Sequence, residues 1–520
     1  MQLRSGLARC VLAAVVVATS VSTAGMSASA ARRSRPTPVL VDISNDPSHI
    51  NGGSSIAVNP RNHNNLVYVA TRHIPSSNPV TANIDDADCI VAYSMDRGKT
   101  WTEEPFPKGD RPQCGIPTVT ATPNGTFWIS ANELGSPDTS DIVTKAVVDV
   151  ALNHPSISRS TDGGRSWHSP RSVPLSGLGH PKLRIDQATG TMYETAPRAA
   201  IGTVYLTVTK TGGSAWTTPV SFPGQHLAVY GGLLATGTLP TSGSSSQSQG
   251  TQLPVTGPSA PGSLTFMLSR DDGQSWTSIP VTDSNGKPAV AGTADKGTPD
   301  LPPWVTADPT HVGRFALMQV VGTNLEVYVT SDAGKTWAGP ARVAAPDAAY
   351  SWIDYGPTGV LGVTWRKYDA TGKHIDEYAA VSRDHGLTFT APLRVTKTTQ
   401  PAGPHYGNDN GDDFSWITTD STYAYIGWPD ARYGGEVDAM FARVPLAAFG
   451  GQAPAAASAG SAARPAQSAS NPAMTSLVSA PSGTLAATGA AGTGVAIGVA
   501  LLAAAALLAR SLETRRSAIA

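Results

Sequence analysis

The chain has 520 residues, with 37 Lys and Arg against 38 Asp and Glu, so its formal net charge is −1. A protein without excess positive charge has no long-range attraction for nucleic acid, and we expect no nucleic-acid partner. Only 14% of the residues are charged, while 52 Gly and 41 Pro favour frequent turns, which argues against a coiled coil and for an all-β fold.

The first 31 residues have the layout of a secretory signal peptide. Arg4 and Arg9 supply a basic start, residues 11–18 are apolar, and residues 28–30 read Ala-Ser-Ala. A basic region, an apolar region and a small-residue site, in that order, are typical of a cleaved export signal. We therefore predict an exported protein, with an uncleaved membrane anchor as the alternative.

One eight-residue pattern recurs along the chain. It begins with Ser or Thr, has Asp at the third position and Gly at the fifth, and ends in an aromatic residue. Five copies are Ser94–Trp101, Ser160–Trp167, Ser269–Trp276, Thr330–Trp337 and Ser382–Phe389, with Asp96, Asp162, Asp271, Asp332 and Asp384 as the third residue. A sixth copy, Thr209–Trp216, has Thr211 at that position.

The chemistry of this octet predicts a hairpin turn. An Asp carboxylate can accept hydrogen bonds from the backbone N–H groups of a turn. A Gly adopts a positive φ without strain, and an aromatic residue packs back onto the sheet.

These octets resemble the Asp-box, or BNR repeat, of sialidases and other β-propellers. In that family each blade is a four-stranded antiparallel sheet, and the box is the turn between its third and fourth strands. The resemblance covers Val39–Pro445 and implies a β-propeller domain over residues 36–445.

The spacing of the repeats predicts seven blades. Consecutive boxes start about 58 residues apart, so residues 36–445 hold about seven units. A seventh unit lacks a box; its predicted strands are Phe414–Thr418, Tyr423–Trp428 and Ala439–Val444. Pro38–Ile43 at the other end of the domain would supply its fourth strand and close the ring. Six blades, as in the catalytic domains of sialidases, are the alternative.

The end of the propeller opposite the boxes is the predicted ligand face. In the resembling family the ligand lies at that end, where the second strand of each blade terminates. The residues at these positions are, blade by blade, Arg72, Glu133, Arg198, Thr238, Gln319, Arg366 and Arg432, with Asp430 beside the last. Because Arg binds carboxylates through two parallel hydrogen bonds, this set favours an acidic sugar as the ligand.

The sialidase resemblance implies a catalytic set at the same end. In that family three Arg hold the sugar carboxylate, a Tyr–Glu pair is the nucleophile and an Asp is the acid/base, and Arg72-His73-Ile74-Pro75 is similar to the R-I-P motif with one residue inserted. The residues so assigned are Arg72, Arg198, Arg366 and Arg432 for the clamp, Asp85, Asp86 or Asp88 for the acid/base, Tyr355 or Tyr406 for the nucleophile, and Glu133 or Glu194 for its partner. The alternative is that these Arg are solvated or pair with Asp and Glu for structure.

Cofactor signals are weak. Histidines lack metal-ligand spacing, and no phosphate-binding loop is present in the sequence. Asp412 and Asp413 are candidate Ca²⁺ ligands because hard oxygen groups adjoin there, with a solvated acidic loop as the alternative.

Two of the three cysteines are predicted to form a disulfide. Cys10 leaves with the signal peptide, so Cys89 and Cys114 remain in an oxidising compartment. Cys89 is placed at the start of the third strand of the first blade, and Cys114 at the start of the second blade. Both positions lie opposite the boxes, so the two could approach bonding distance. Two free buried thiols are the alternative.

The C-terminal region has three parts. Residues 446–484 are rich in Ala, Ser and Pro and predict a disordered spacer; Leu485-Ala486-Ala487-Thr488-Gly489 follows; residues 490–509 are apolar and precede a basic tail. This layout resembles the sortase sorting signal of Gram-positive surface proteins. The resemblance implies cleavage between Thr488 and Gly489, with sortase and cell-wall peptidoglycan as partners and 490–509 as a transmembrane helix. A plain C-terminal membrane anchor is the alternative.

Two functions from different classes remain open at this stage. The first is an exported, cell-surface-anchored exo-α-sialidase or related glycoside hydrolase. The second is a non-catalytic surface propeller that binds glycans or proteins. We expect a monomer in either case.

Overall fold

The structure is a computed structural model that describes residues 37–450, except for residue 47 and the intervals 74–87, 110–112, 135–153, 176–179, 199–202, 240–254, 257–261, 293–302, 403–414 and 433–436. The predicted signal peptide, the sorting-signal residues Leu485, Thr488 and Gly489, and the apolar segment 490–509 lie outside the described residues. Within the described part of the chain, no helix is long and apolar enough to cross a membrane.

The described residues form short β-strands and one 3₁₀ turn, Leu446–Ala448. The strands preceding the midpoint of the fold are β1 (Val39–Asp42), β2 (Ile50–Val58), β3 (Leu66–His73), β4 (Asp88–Ser94), β5 (Thr102–Glu104), β6 (Gln113–Ala121), β7 (Phe127–Leu134), β8 (His154–Ser160), β9 (Arg171–Ser172), β10 (Lys182–Ile185), β11 (Met192–Arg198), β12 (Thr203–Thr209) and β13 (Val220–Phe222). Those that follow are β14 (Ala228–Tyr230), β15 (Leu233–Thr238), β16 (Val255–Thr256), β17 (Thr265–Ser269), β18 (Trp276–Pro280), β19 (Trp304–Ala307), β20 (Phe315–Val321), β21 (Asn324–Thr330), β22 (Ala338–Ala344), β23 (Ala348–Tyr355), β24 (Leu361–Tyr368), β25 (His374–Ser382), β26 (Leu393–Arg394), β27 (Gln400–Pro401), β28 (Trp416–Thr419), β29 (Tyr423–Asp430) and β30 (Asp438–Pro445).

The strands pair into seven sheets, which makes the fold a seven-bladed β-propeller. In chain order the blades are β2-β3-β4-β5, β6-β7-β8-β9, β10-β11-β12-β13, β14-β15-β17-β18, β19-β20-β21-β22, β23-β24-β25-β26 and β28-β29-β30-β1. The first strands of successive blades contact one another around a closed ring, from β2 through β28 and back to β2. Two short strands lie outside this scheme: β16 pairs with β18 in blade 4, and β27 pairs with β25 in blade 6. The prediction of seven blades is confirmed, and the alternative of six is wrong.

Blade 7 is closed by the N-terminal strand, as predicted. Strand β1 pairs with β30 along Val39–Asp42, opposite Met440–Arg443. This pairing covers the outer edge of β30 and joins the two ends of the described chain in one sheet. A sheet edge that would otherwise present unpaired backbone groups is thereby satisfied.

Each Asp-box forms the turn between the third and fourth strands of its blade. In blade 1, Asp96 Oδ1 accepts the backbone N–H of Thr100 at 3.0 Å, and Ser94 Oγ accepts the N–H of Gly98 at 2.8 Å. Gly98 has φ +74°, and a Cβ there would lie 2.4 Å from the ring of Phe441 in blade 7. Trp101 also packs edge-on against Phe441, with ring centroids 4.9 Å apart. Each box therefore joins two blades as well as two strands.

The box turns lie at the same end of the propeller as the turns between first and second strands. In blade 6, the Tyr355 hydroxyl at the end of β23 donates to the carbonyl oxygen of His385 in the box, at 2.7 Å. The His385 ring in turn contacts Asp308, in the first turn of blade 5, at 2.8 Å. Antiparallel pairing then puts the second-to-third loops and the links between blades at the opposite end.

The packed core extends slightly past the predicted domain end. Leu446, Ala448 and Phe449 are at least 93% buried and pack with the strands of blade 7. These apolar side chains explain why the fold continues for four residues beyond Pro445, into the stretch that the composition assigns to the spacer.

Candidate functional site

The candidate site is the mouth of the central channel at the end opposite the Asp-boxes. Second strands end there and third strands begin there. The described part of the mouth is built from strand ends, and several charged residues lie among them.

Arg72 is held by carboxylates of its own surroundings. It lies near the end of β3, and its Nη1 and Nη2 donate to the two carboxylate oxygens of Glu103 at 2.9 and 3.1 Å. Its Nε donates to Asn51 Oδ1 at 3.3 Å, and Asp46 lies 3.8 Å away. Both prongs of the guanidinium fork are thus occupied by a carboxylate of β5.

Arg432 follows β29 and is bound by Asp430. Its Nε donates to Asp430 Oδ2 at 2.8 Å, its Nη2 contacts the same oxygen, and its backbone N–H donates to Asp430 Oδ1 at 2.9 Å. Asp430 also accepts the indole N–H of Trp428 at 2.9 Å. Asp430 therefore neutralises and orients Arg432 within the same two-residue step.

A second carboxyl adjoins this pair. Asp438 lies directly opposite Asp430 in the β29–β30 ladder and is buried. Burial raises the pKa of Asp438 to about 7, and the negative charges of Asp42 and Asp430 act in the same direction. Ser44 Oγ opposes them by donating a hydrogen bond of 3.4 Å. Added negative charge is therefore disfavoured at the junction of blades 7 and 1.

Arg366 is fully buried in blade 6. Its Nε donates to Ser415 Oγ at 3.0 Å, and Glu377 Oε2 lies 3.9 Å away. Its guanidinium carbon lies 4.3 Å from the ring centroid of Tyr350. Burial raises the pKa of Glu377 to about 7, although the positive charge of Arg366 opposes the rise.

Tyr350 is a residue that sequence reasoning missed. It lies on β23, at an irregularity in the pairing with β24 between Ala349 and Trp352, and has φ +54°. A positive φ is strained for a bulky side chain and marks a position that the surrounding structure holds in place. In the sequence this residue stands in the run Ala-Ala-Tyr-Ser-Trp, and no residue type in that run predicts a β-bulge.

The two candidate glutamates lie in different places. Glu133, near the end of β7, lies 3.5 Å from the His154 ring at the start of β8. Glu194 lies inside β11, is fully buried, and accepts a hydrogen bond from Ser130 Oγ of blade 2 at 2.7 Å. Burial raises the pKa of Glu194 to about 8, against the opposing effects of Ser130 and Arg184. Glu194 thus joins two blades rather than facing the mouth.

Other predicted site residues are distributed as follows. Arg198 is the last residue of β11, at the expected end of its blade. Tyr355 lies at the opposite end, bonded to the box of its own blade. Thr238 and Gln319 belong to second strands, and Asp88 begins β4 beside Lys108 at 2.9 Å. Asp85, Asp86, Tyr406, Asp412 and Asp413 lie outside the described residues.

A cluster of buried aromatic side chains lies beneath the mouth. Trp352 and Trp416 stack with ring centroids 4.2 Å apart, and the His226 ring lies 4.4 Å from that of Trp304. Trp304 and Trp352 are 6.3 Å apart. The first strands of blades 5, 6 and 7, together with His226 two residues before the first strand of blade 4, therefore contribute to one aromatic cluster.

The Cys89–Cys114 disulfide also lies at this end. It joins β4 of blade 1 to β6 of blade 2, with the two Cα atoms 5.6 Å apart. Among the described residues, no group of three or more His, Cys, Asp or Glu side chains is arranged to hold a metal ion.

Comparisons with known proteins complete the description of the site. No protein-family profile and no curated protein sequence matches the chain. Solved structures with a similar fold include a Dyadobacter fermentans protein of unknown function, at 12% identity over 78% of this chain and 97% of that one, with a TM-score of 0.42. They also include a Trypanosoma rangeli sialidase, at 15% identity over 79% of this chain and 59% of that one, with a TM-score of 0.36. A Penicillium chrysogenum α-L-arabinanase matches at 14% identity over 70% of this chain and all of that one, again with a TM-score of 0.36. At these values the likeness carries no functional argument, and the fold stands on its own strand topology.

Proposed function

We propose that the chain is an exported, surface-anchored propeller that binds neutral glycans at the end opposite the Asp-boxes and does not hydrolyse sialosides. The observation that carries the proposal is the state of the predicted clamp. Arg72 and Arg432 are bound by Glu103 and Asp430. Arg366 is buried beside Glu377.

An acidic sugar is a poor ligand for this arrangement. To bind its carboxylate, Arg72 would have to exchange both hydrogen bonds to Glu103 for equivalent bonds to the ligand, with no net gain in pairing. The displaced Glu103 and the ligand would then place two negative charges beside Asp46. Like charges this close repel one another, which favours an uncharged ligand.

Neutral sugars suit the same groups. Partly exposed carboxylates such as those of Glu103 and Asp88 accept hydrogen bonds from sugar hydroxyls without requiring charge on the ligand. The Asp-box resemblance assigns the ligand to this end of the propeller. A glycan that bridges the strand ends of several blades is therefore the proposed ligand.

The location of the protein rests on independent features. The leader-like residues 1–31 and the sorting-signal-like segment 485–520 support export and attachment to the cell wall by sortase. The Cys89–Cys114 bond supports the same location because disulfides persist in oxidising compartments. Replacing Thr488 by Ala should release the protein from the wall fraction; unchanged covalent attachment to wall fragments would overturn the sortase proposal.

A sialidase-like hydrolase is the second candidate, favoured by one observation. Tyr350, Arg366 and Glu377 lie together in blade 6 and are the residue types that the resemblance requires. Tyr350 is only 1% exposed, however, and its ring faces a guanidinium that is itself buried. A nucleophile must reach the sugar, so this burial favours a structural role for the tyrosine.

The test uses the purified full chain in two parallel assays. A glycan array compares neutral with sialylated glycans, and a coupled assay measures the release of sialic acid and of a small panel of glycosides. We expect binding to neutral glycans and no release of sugar. Turnover of a sialoside that is lost in Tyr350→Phe would establish the hydrolase instead. Binding restricted to sialylated glycans would overturn the choice of ligand.

A further inference from the structure

The opposite end of the channel contains a cavity of about 310 Å³. It lies where the first strands end, framed by the turns that follow them in several blades, and so opens at the Asp-box end. Its walls include residues of β2, β6, β10, β19, β23 and β28. Trp304 and Trp352 come earlier on the first strands of blades 5 and 6, on the side nearer the mouth described above.

Arg184 is the cation of this cavity. It lies on β10, donates from Nε to the carbonyl oxygen of Leu227 at 3.3 Å, and has its guanidinium carbon 5.5 Å from the ring centroid of Trp416. Among the described residues, no carboxylate forms an ion pair with it. This is the opposite of the arrangement at Arg72 and Arg432. A guanidinium that lines a cavity in this way is placed to bind the carboxylate of a ligand.

Asp354 is the anion of the same cavity. It lies near the end of β23, and one of its oxygens accepts a hydrogen bond from Thr306 Oγ1 at 2.8 Å. Burial raises the pKa of Asp354 to about 6, while the positive charge of Arg184 acts against the rise. The two charges therefore influence each other across the cavity without being in contact.

The remaining walls combine apolar with polar residues. The aliphatic part of the lining comes from four different blades and consists of Ile56, Val58, Val229, Val305 and Ile353. Small-molecule sites combine apolar walls with a few precisely placed polar groups. Here the charged residues are Arg184 and Asp354, held apart, and uncharged polar residues such as Thr306 and Gln187 lie beside them.

We propose that this cavity binds a small zwitterion, an α-amino acid with an apolar side chain. The ligand carboxylate binds the guanidinium of Arg184, its ammonium binds Asp354, and its side chain packs among the aliphatic walls. Such a ligand bridges two half-buried charges that form no ion pair with one another, and it supplies each of them with a charged partner. The site is separate from the glycan face, so it does not depend on the function proposed for that face.

The test measures binding of three isosteric probes to the full chain by calorimetry. L-Leucine carries both charges, 4-methylpentanoate lacks the ammonium, and 3-methylbutylamine lacks the carboxylate. We expect leucine to bind, and each probe with a single charge to bind at least about tenfold more weakly, because each loses one charge-assisted contact. This comparison on the unmodified protein needs no variant.

Variants then assign the contacts. Arg184→Met should abolish binding, and the isosteric Asp354→Asn should weaken leucine at least about tenfold while leaving the affinity for 4-methylpentanoate unchanged or higher. Arg342→Met is the matched control, since Arg342 lies on an outer strand and pairs with Glu326 at 2.8 Å. Circular dichroism confirms that each variant is folded. Failure of leucine to bind, equal binding of all three probes, or full binding by folded Arg184→Met would overturn the proposal.

Discussion

Arg72 and Glu103 form a two-pronged ion pair across blade 1, with N–O distances of 2.9 and 3.1 Å. Arg72 lies on the second strand and Glu103 on the fourth, so the pair spans the third strand between them. An arginine used in this way stabilises its blade. In a sialidase-like clamp this arginine would bind the carboxylate of the ligand, whereas here it binds the carboxylate of Glu103.

The first prediction concerns this pair. Arg72→Ala and Glu103→Ala should each lower the free energy of unfolding, and a double-mutant cycle should give a coupling energy of about 1 kcal/mol, because both side chains remain partly exposed. Urea unfolding of the four proteins measures it. The Arg342–Glu326 pair, in which the arginine is more exposed, is the control and should couple more weakly. A coupling near zero for Arg72–Glu103 would leave the arginine available for a ligand.

The second prediction concerns the Asp-boxes. Asp162 accepts hydrogen bonds from Ser160 Oγ and the backbone N–H of Ser166, at 2.8 and 3.0 Å. Asp162→Ala should therefore lower stability by about 1–3 kcal/mol, with Asp162→Thr intermediate. Thr211 justifies this ranking, since its hydroxyl accepts the N–H of Ala215 in the box that lacks Asp. Equal stabilities of Asp162→Ala and wild type in thermal unfolding would contradict this role.

The boxes also make stability depend on pH. Burial alone would raise the pKa of Asp162, but hydrogen bonds from Ser166 and Ser160 outweigh it and hold that pKa below its usual value. A carboxyl with a lowered folded-state pKa stabilises the protein above its unfolded pKa, and this contribution disappears as the pH falls through the folded value. Wild type should thus lose stability below about pH 4, and Asp162→Ala should lose less over the same range.

The third prediction has the opposite sign. The pKa of Glu194 is raised to about 8, so the folded state holds its proton more tightly than the unfolded state does. Stability attributable to this group falls as the pH rises from about 4.3, the unfolded value, towards 8. Glu194→Gln removes the titration, so the variant should gain stability relative to wild type between pH 5 and pH 8. Melting temperatures at the two pH values measure it, and a constant difference would contradict the assignment.

The fourth prediction concerns the disulfide. Thiol labelling of the denatured, non-reduced mature protein should find no free cysteine. Cys114→Ser should lower the free energy of unfolding by about 2–4 kcal/mol, because the bond links two blades and restricts the conformations open to the unfolded chain. Two labelled thiols per chain would contradict the bridge. Reduced wild type serves as the labelling control.

The fold was predictable because its signals are local and repeated. Each box carries its own turn chemistry within eight residues, and six copies fix the length of the unit. Closure by β1 followed from counting strands, since the last unit has three and the first segment supplies one. The continuation to Phe449 was not predictable, because Leu446 and Ala448 read as part of an Ala-rich tail until packing buries them.

The residues at the two ends of the propeller channel were predictable from the sequence only in part. The sequence placed Arg72 at the end of a second strand, but its partner Glu103 is 31 residues away and follows a box rather than a motif. The position of Tyr350 beside Arg366 depends on a β-bulge that no residue type predicts. Arg184 belongs to a strand of four residues whose cavity is assembled from blades distant in sequence. Contacts between residues of different blades form only when the blades close into a ring, so local sequence patterns do not predict them.

Hydrogen exchange, with and without the glycan that binds best on the array, shows which end of the propeller binds the ligand. We expect slower exchange in peptides that contain Arg72 and Arg432, at the end opposite the Asp-boxes, unchanged exchange in the peptides of the boxes at 94–101 and 160–167, and intact glycan after incubation. Protection confined to the box peptides would contradict the assignment of the face, and recovery of cleaved sugar would contradict the binding function.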